Sequence, residues 1–264
     1  MSASLYIEKQ GTGTDLLLLH GWGLHGGVWD TLAPRLADRF RVTRMDLPGH
    51  GRSRDIAMPA TLTELARMVM DAAPPHAVVL GWSLGGLVAL RAALDAPNNM
   101  RALVLANATP RFVTGTDWPA AMPPETLAEF AAGLREDYQG ILQRFLSLQV
   151  RGDEGARESL RNLRVALFAH GEPDAASLAT GLELLRTSDL RAECASVKVQ
   201  TLVLAGAYDR LTPAAAGEFL ARSIHGARLH SFPKSAHAPF ISHTEAFADA
   251  LRGFMLQLNE GVAA

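Results

Sequence analysis

The chain has 264 residues, of which 48% are hydrophobic, and carries a formal net charge of −2. That length suits one large domain, or one domain with an insertion, and the apolar share fills a substantial core without any disorder-prone composition. The charge leaves no global basic field for nucleic acid or an anionic membrane, the single cysteine, Cys194, excludes an internal disulfide, and no apolar run approaches membrane-spanning length. The start, M-S-A-S-L-Y-I-E-K-Q, lacks the charged and apolar regions of a leader, so a monomeric cytoplasmic protein is the expectation.

Short apolar runs bounded by glycine, proline or aspartate recur at Leu16–Leu19, Val42–Met45, Ala77–Leu80, Ala102–Ala106, Thr201–Ala205 and Arg228–Phe232. Each reads as a strand buried on both faces. Between most of them lie helical periodicities, over Val28–Arg39, Thr61–Ala73, Leu84–Asp95, Pro213–Arg222 and Glu245–Leu258. Alternating strands and helices predict an α/β fold with a mostly parallel central sheet flanked by helices. The alternation stops between about Thr109 and Arg191, where the patterns at Glu125–Leu134, Tyr138–Val150, Gly155–Phe168 and Ala175–Leu185 are all helical. Residues 1–110 and 191–264 are therefore expected to form the core, and 111–190 an all-helical lid over the carboxyl edge of the sheet, where open α/β folds bind ligands.

Gly81-Trp82-Ser83-Leu84-Gly85 sits between the Ala77–Leu80 strand and the helix opening near Leu84. This G-x-S-x-G pattern in a strand–turn–helix context predicts a sharp turn that lifts the Ser83 hydroxyl above the sheet, with glycines where a Cβ would clash. A serine needs a base, and the base an orienting acid. In such a fold they follow in the order acid then histidine, each just after a later strand, which selects Asp209 and His237. The backbone N–H groups of Leu84 and of Trp22, in the loop His20-Gly21-Trp22-Gly23, are the expected oxyanion donors. Trp22 and Trp82 either floor the site or pack in the core. His20 is expected to brace the loop after it and Asp46 to tie down the Leu47–Ser53 turn; His25, His50, His76, His170, His225, His230 and His243 are expected at the surface or in caps. No histidine or carboxylate cluster shows ligand spacing, so neither metal nor cofactor is expected.

H-G-W-G (His20–Gly23), D-L-P-G-H-G-R-S (Asp46–Ser53), G-W-S-L-G-G (Gly81–Gly86), Asp209 and His237 together resemble the α/β-hydrolase superfamily across essentially the whole chain. A narrower resemblance, to the pimeloyl-acyl-carrier-protein methyl ester esterases of biotin synthesis, lies in Leu18–Leu24, Leu80–Ala89, Arg144–Gln149, Gly181–Arg191 and Ala236–His243. It implies hydrolysis of a carrier-bound pimeloyl methyl ester to methanol and the carrier-bound acid. It also implies substrate contacts at Trp22, Ser83, Leu84, Phe145, Leu146, Ser147, Leu148, Gln149 and His237. Phe145, Leu146 and Leu148 suit a methylene chain or, equally, the core.

An acyl carrier protein is acidic, so docking it needs positive charge at the lid mouth. Between Arg135 and Arg164 arginines and acidic residues nearly cancel, so a basic patch must come from geometry. On a helix, Arg157, Arg161 and Arg164 share one face, with Leu160, Leu163 and Leu167 on a neighbouring one. That stripe plus Arg144 is the candidate docking surface; a solvated face with local salt bridges is the alternative. A broad short-chain carboxylesterase, a carbon–carbon bond hydrolase and a non-catalytic receptor with the same fold are the competing functions.

Overall fold

Four consecutive leucines, Leu16–Leu19, have no solvent exposure at all. Only a strand with neighbours on both sides and helices over both faces buries such a run completely. The structure, a computed structural model, describes residues 4–134 and 136–260, which leaves Arg135 outside it. In chain order the elements are β1 (Ile7–Gln10), β2 (Thr14–Leu19), α1 (Ala33–Leu36), β3 (Phe40–Met45), α2 (Leu62–Ala72), β4 (Ala77–Trp82), α3 (Leu84–Asp95) and β5 (Met100–Ala106). Four helices follow, α4 (Pro124–Gly133), α5 (Tyr138–Gln149), α6 (Ala156–Phe168) and α7 (Ala175–Thr187), before β6 (Thr201–Gly206), α8 (Ala214–Ser223), β7 (Arg228–Phe232), α9 (Pro239–Ser242) and α10 (Thr244–Glu260).

The seven strands form one sheet in the order β1-β3-β2-β4-β5-β6-β7. Every neighbouring pair is parallel except β1 with β3. β1 carries no apolar run, since I-E-K-Q is mostly polar and only half-buried at the sheet edge, so its pattern shows no strand signal. β7 departs from the expectation of a strand buried on both faces: Arg228–Ser231 are exposed and Phe232 alone is buried, because β7 is the other edge. The helix expected over Val28–Arg39 is broken into a single tight turn at Gly26–Trp29 and the short α1. Pro34, in the first turn of α1, has no N–H to continue a helix from upstream and suits a helix start. Elsewhere the boundaries follow capping chemistry. Thr61 accepts from Glu64 N–H at 3.3 Å, Asp137 from Gly140 N–H at 2.9 Å and Asp174 from Ser177 N–H at 2.7 Å.

Helices α4–α7 close over the carboxyl edge of the sheet. Trp22 Nε1 donates to Leu178 O of α7 at 2.9 Å, His25 Nε2 bonds Ala166 O of α6, and Asp174 N–H donates to Gly49 O at 2.9 Å. The stretch 111–123 contains no helix and packs on the core, with the Trp118 ring 5.0 Å from Phe219 of α8. On α6, Leu163 and Leu167 are buried and Leu160 partly so, while Arg157, Arg161 and Arg164 are exposed, as the helical spacing requires. Replacing the fully buried Leu163 by Ala should lower stability by about 2–4 kcal/mol in urea unfolding, from lost transfer energy and the cavity left behind.

Candidate active site

Ser83 lies between β4 and α3 with φ 56° and ψ −118°, a backbone region that side-chain-bearing residues avoid. The turn is so tight that a Cβ on Gly81 would stand 2.1 Å from Gly85 O, and one on Gly85 2.5 Å from Leu19 O. Both glycines are therefore steric necessities. Ser83 N–H donates to Ala106 O at 3.2 Å, which ties the elbow to the neighbouring strand end. Its side chain makes no cap bond to α3.

Asp209 and His237 follow β6 and β7 on the same edge. His237 Nδ1 donates to Asp209 Oδ2 at 2.7 Å, and both side chains are buried. Asp209 Oδ2 also accepts from Thr212 Oγ1 at 2.6 Å and Asn107 Nδ2 at 2.8 Å, while Oδ1 accepts from the backbone N–H groups of Leu211 at 2.8 Å and Thr212 at 3.0 Å. Burial alone would raise the pKa of this carboxyl. The charge and hydrogen bond of His237, with those from Asn107 and Thr212, outweigh burial and hold it below the ordinary carboxylate value. An ionised carboxylate only accepts, so His237 carries its proton on Nδ1 and presents Nε2 as a lone pair. Nε2 is buried and has no hydrogen-bond partner among the described residues. Trp82 ties down the His237 backbone, its Nε1 donating to His237 O at 2.8 Å.

The loop after β2 is held with equal care. His20 Nε2 accepts from Leu47 N–H at 2.9 Å, which leaves Nδ1 as a donor to Gly21 O at 2.8 Å. In a trans peptide the next N–H points away from that carbonyl, so pinning Gly21 O aims Trp22 N–H. A Cβ on Gly21 would stand 3.2 Å from Ser83 Cβ, so this loop adjoins the nucleophile. Among the described residues neither Trp22 N–H nor Leu84 N–H donates a hydrogen bond. Leu84 opens α3, where the helix itself supplies no acceptor and its positive end favours an anion. Two unspent donors, a buried base and a strained serine make a site suited to acyl transfer.

A family profile for the alpha/beta hydrolase fold matches residues 15–244. The chain belongs to the α/β-hydrolase family. Among curated members, a pimeloyl-acyl-carrier-protein methyl ester esterase from Nitrosomonas europaea is 45% identical over 245 residues, 93% of this chain and 97% of that one. One from Xanthomonas campestris pv. campestris is 44% identical over 254 residues, 96% of this chain and all of the relative. Among solved structures, an esterase from Exiguobacterium antarcticum superposes with a TM-score of 0.84 at 23% identity, covering 95% of this chain and 94% of that one, which speaks for the fold.

The α/β-hydrolase core is roofed here by α5. A Cβ on Gly23 would stand 2.7 Å from Leu142 Cδ2, Phe145 meets the Trp22 ring edge-on at 5.0 Å, and Gln149 O accepts the His237 N–H at 2.9 Å. One helix face thus runs from the loop after β2 to His237. Phe145, Leu146 and Gln149 are buried on that side, and both side-chain polar atoms of Gln149 lack hydrogen-bond partners among the described residues. Ser147 and Leu148 lie on the opposite side, as a period of 3.6 dictates. With Arg144, Arg164, Glu129 and Phe130 they line an open groove of about 630 Å³ on the outside of α4–α6. The expected run of five substrate contacts is therefore divided between two surfaces. Arg144 and Arg164 come together there, with Glu129 3.9 Å from Arg144; Arg161 stands 4.0 Å from Glu158 further along α6. Trp82 meets Trp29 and Phe240 edge-to-face, so its packing is that of the core.

The α/β-hydrolase motifs did not reveal three contributors to the site. Asn107 and Thr212 bond Asp209, and Asp153, in the α5–α6 turn, accepts Ala236 N–H at 3.4 Å. Their positions after β5, after β6 and between lid helices were readable; contacts between segments so distant in sequence were not. His50 corrects another expectation. It is neither exposed nor a side-chain cap but fully buried, accepting Gly23 N–H at 3.2 Å while Nδ1 bonds Pro48 O at 2.8 Å. His25 is buried too, although it does cap the Gly26–Trp29 turn. Asp46 holds the Leu47–Ser53 turn through Arg52 N–H at 2.8 Å. Among the described residues no group of three or more His, Cys, Asp or Glu is arranged to hold a metal ion.

Burial lowers the pKa of His50 from 6.5 to about 4, and that of His20 to about 3 with help from the neighbouring His50 charge. The unfolded chain takes up protons below pH 6.5 that the folded one refuses, so stability is complete above that value and falls as the pH drops toward 4. By pH 5 the loss from His50 is about 2 kcal/mol. Calorimetric melting should show a clear drop in Tm between pH 7 and pH 5, and a shallower one in His50→Gln, whose amide does not titrate.

Proposed function

We propose that this protein hydrolyses the methyl ester of a pimeloyl chain borne on acyl carrier protein, releasing methanol and pimeloyl carrier protein for biotin synthesis. The observation that carries the reading is identity of 44–45% over nearly the full length of curated esterases of that activity, helical insertion included. Lids vary more readily than triads, so likeness through α4–α7 bears on the substrate. The enclosed apolar roof of Phe145 and Leu146 supports a methylene chain as the acyl part.

His237 Nε2 takes the Ser83 proton as Oγ attacks the ester carbonyl. The Trp22 and Leu84 N–H groups receive the developing oxyanion, and Asp209 stabilises the imidazolium through Nδ1. Collapse expels methoxide, protonated by His237 to methanol, and leaves the acyl chain on Ser83. Water then attacks, giving its proton to His237, and a second collapse returns that proton to Ser83 Oγ and frees the carboxylic acid.

The carrier is held at the outer groove. Arg144 and Arg164, with Arg157 and Arg161 along α6, meet its acidic surface, while Ser147 and Leu148 contact the arm leading to the cargo. Support for this is the exposure of all four arginines on one side of the helical insertion, where their partners among the described residues are at best long contacts.

Mass spectrometry of methyl-pimeloyl carrier protein, incubated with the enzyme, should show loss of one methylene unit. Ser83→Ala should lose at least about a thousandfold in turnover with its melting unchanged. A wild type that leaves the carrier substrate intact but cleaves small free esters would make it a general carboxylesterase. Reversing charge at Arg157, Arg161 and Arg164 together should lower kcat/KM on the carrier substrate by about tenfold or more and leave small-ester turnover alone; equal effects on both would dismiss the docking surface.

A further inference from the structure

Two adjacent residues at the carboxyl end of β5 touch Ser83, Asp209 and the residue before His237. Ala106 O accepts the Ser83 N–H at 3.2 Å. One residue on, Asn107 Nδ2 donates to Asp209 Oδ2 at 2.8 Å and to the carbonyl of Ala236, the residue before His237, at 3.1 Å. The Asn107 N–H itself donates to Leu204 O at 2.8 Å, prolonging the β5–β6 pairing past the last strand residue. Both side-chain partners are pure acceptors, so the amide can face them only with its two hydrogens, and each hydrogen is used.

Asn107 holds this place against three disadvantages. Its φ is 42°, in the left-handed region. It is 2% exposed, so its amide is desolvated. Its Oδ1 is buried with no partner among the described residues. Glycine would relieve the backbone, and a small apolar side chain would remove the orphaned acceptor. A residue that is locally unfavourable on each count, at the junction of three functional segments, points to a role beyond packing.

We infer that Asn107 is a positioning residue for ester hydrolysis, whose amide fixes both the Asp209 oxygen used by His237 and the backbone from which His237 hangs. The inference rests on the serine-hydrolase reading given above. It has two physical parts. Without the amide, the Asp209 carboxylate can rotate on its remaining donors and the histidine loop loses one anchor, so the base is less often aligned. Without the amide, Oδ2 also keeps more of its negative charge, which favours the imidazolium. The acid limb of kcat/KM therefore moves up. The other titratable groups joined to this loop are Asp153, the Lys234–Glu154 pair at 3.0 Å and His243, reached through Ser242 and Ser235. None is altered by changing Asn107.

The test measures kcat and KM for p-nitrophenyl butyrate across the pH range in wild type, Asn107→Gly and Ser83→Ala. Glycine suits the positive φ and deletes the amide alone. The expected result is a kcat lower by about tenfold or more, KM within about threefold of wild type, and an acid limb raised by about half a pH unit. A folded variant with an unmoved acid limb and wild-type kcat overturns the inference, even if its Tm has dropped, because that pattern belongs to a purely structural residue. If circular dichroism shows Asn107→Gly unfolded, Asn107→Ser decides on the same criteria, since its hydroxyl is too short to span both acceptors. Activity surviving in Ser83→Ala would reject the serine mechanism itself, a failure distinct from either Asn107 outcome.

Discussion

The backbone contact between Gly81 and Gly85 is the constraint on which the rest of the site depends. It lets the chain leave β4 and enter α3 in one turn, and it forces Ser83 to a φ of 56°. A strained residue persists only where its surroundings over-determine it. Here the surroundings are β5, which takes the Ser83 N–H, and the β2 carbonyl end, against which Gly85 packs without a side chain. The backbone that carries the hydroxyl is therefore fixed by its surroundings, and the other groups need only to be brought to it.

What is brought to it arrives through buried polar bonds. His20, His50 and Asp46 are enclosed around the loop after β2, and each spends its acceptors on backbone N–H groups of the surrounding turns. Asp209 does the same on the other side of the serine. Such groups are costly to bury and costlier to leave half-satisfied, so each loop has one favoured arrangement. The depressed pKa values of His20 and His50 follow from this burial and keep both neutral, as acceptors must be.

The sequence made the scaffold legible wherever a residue's neighbours in space are also its neighbours in pattern. The runs Leu16–Leu19, Ala77–Leu80 and Ala102–Ala106 announce buried parallel strands, and the helix Leu84–Asp95 begins and ends where its pattern does. The shared placement of Ser83, Asp209 and His237 was readable because each follows a strand on one edge. β1 was not, because an edge strand needs no apolar run, and the break at Pro34 was hidden by an unbroken helical period. Ser147 shows a different limit: a contiguous run was read as one contact surface, although a helix turns successive residues to different sides. Asn107 lay wholly beyond reach, since its significance is a pair of bonds to residues more than a hundred positions away.

The end of α5 and the turn joining it to α6 are fastened to the loop that carries His237. Gln149 O takes the His237 N–H, Asp153 takes the Ala236 N–H, and the Glu154 N–H donates to Lys234 O while the two side chains pair. The helical insertion is for this reason no interchangeable cassette. A chimera that imported another member's lid without residues 233–237 would lose the bonds that place His237, so the helical segment and the loop after β7 are inherited together.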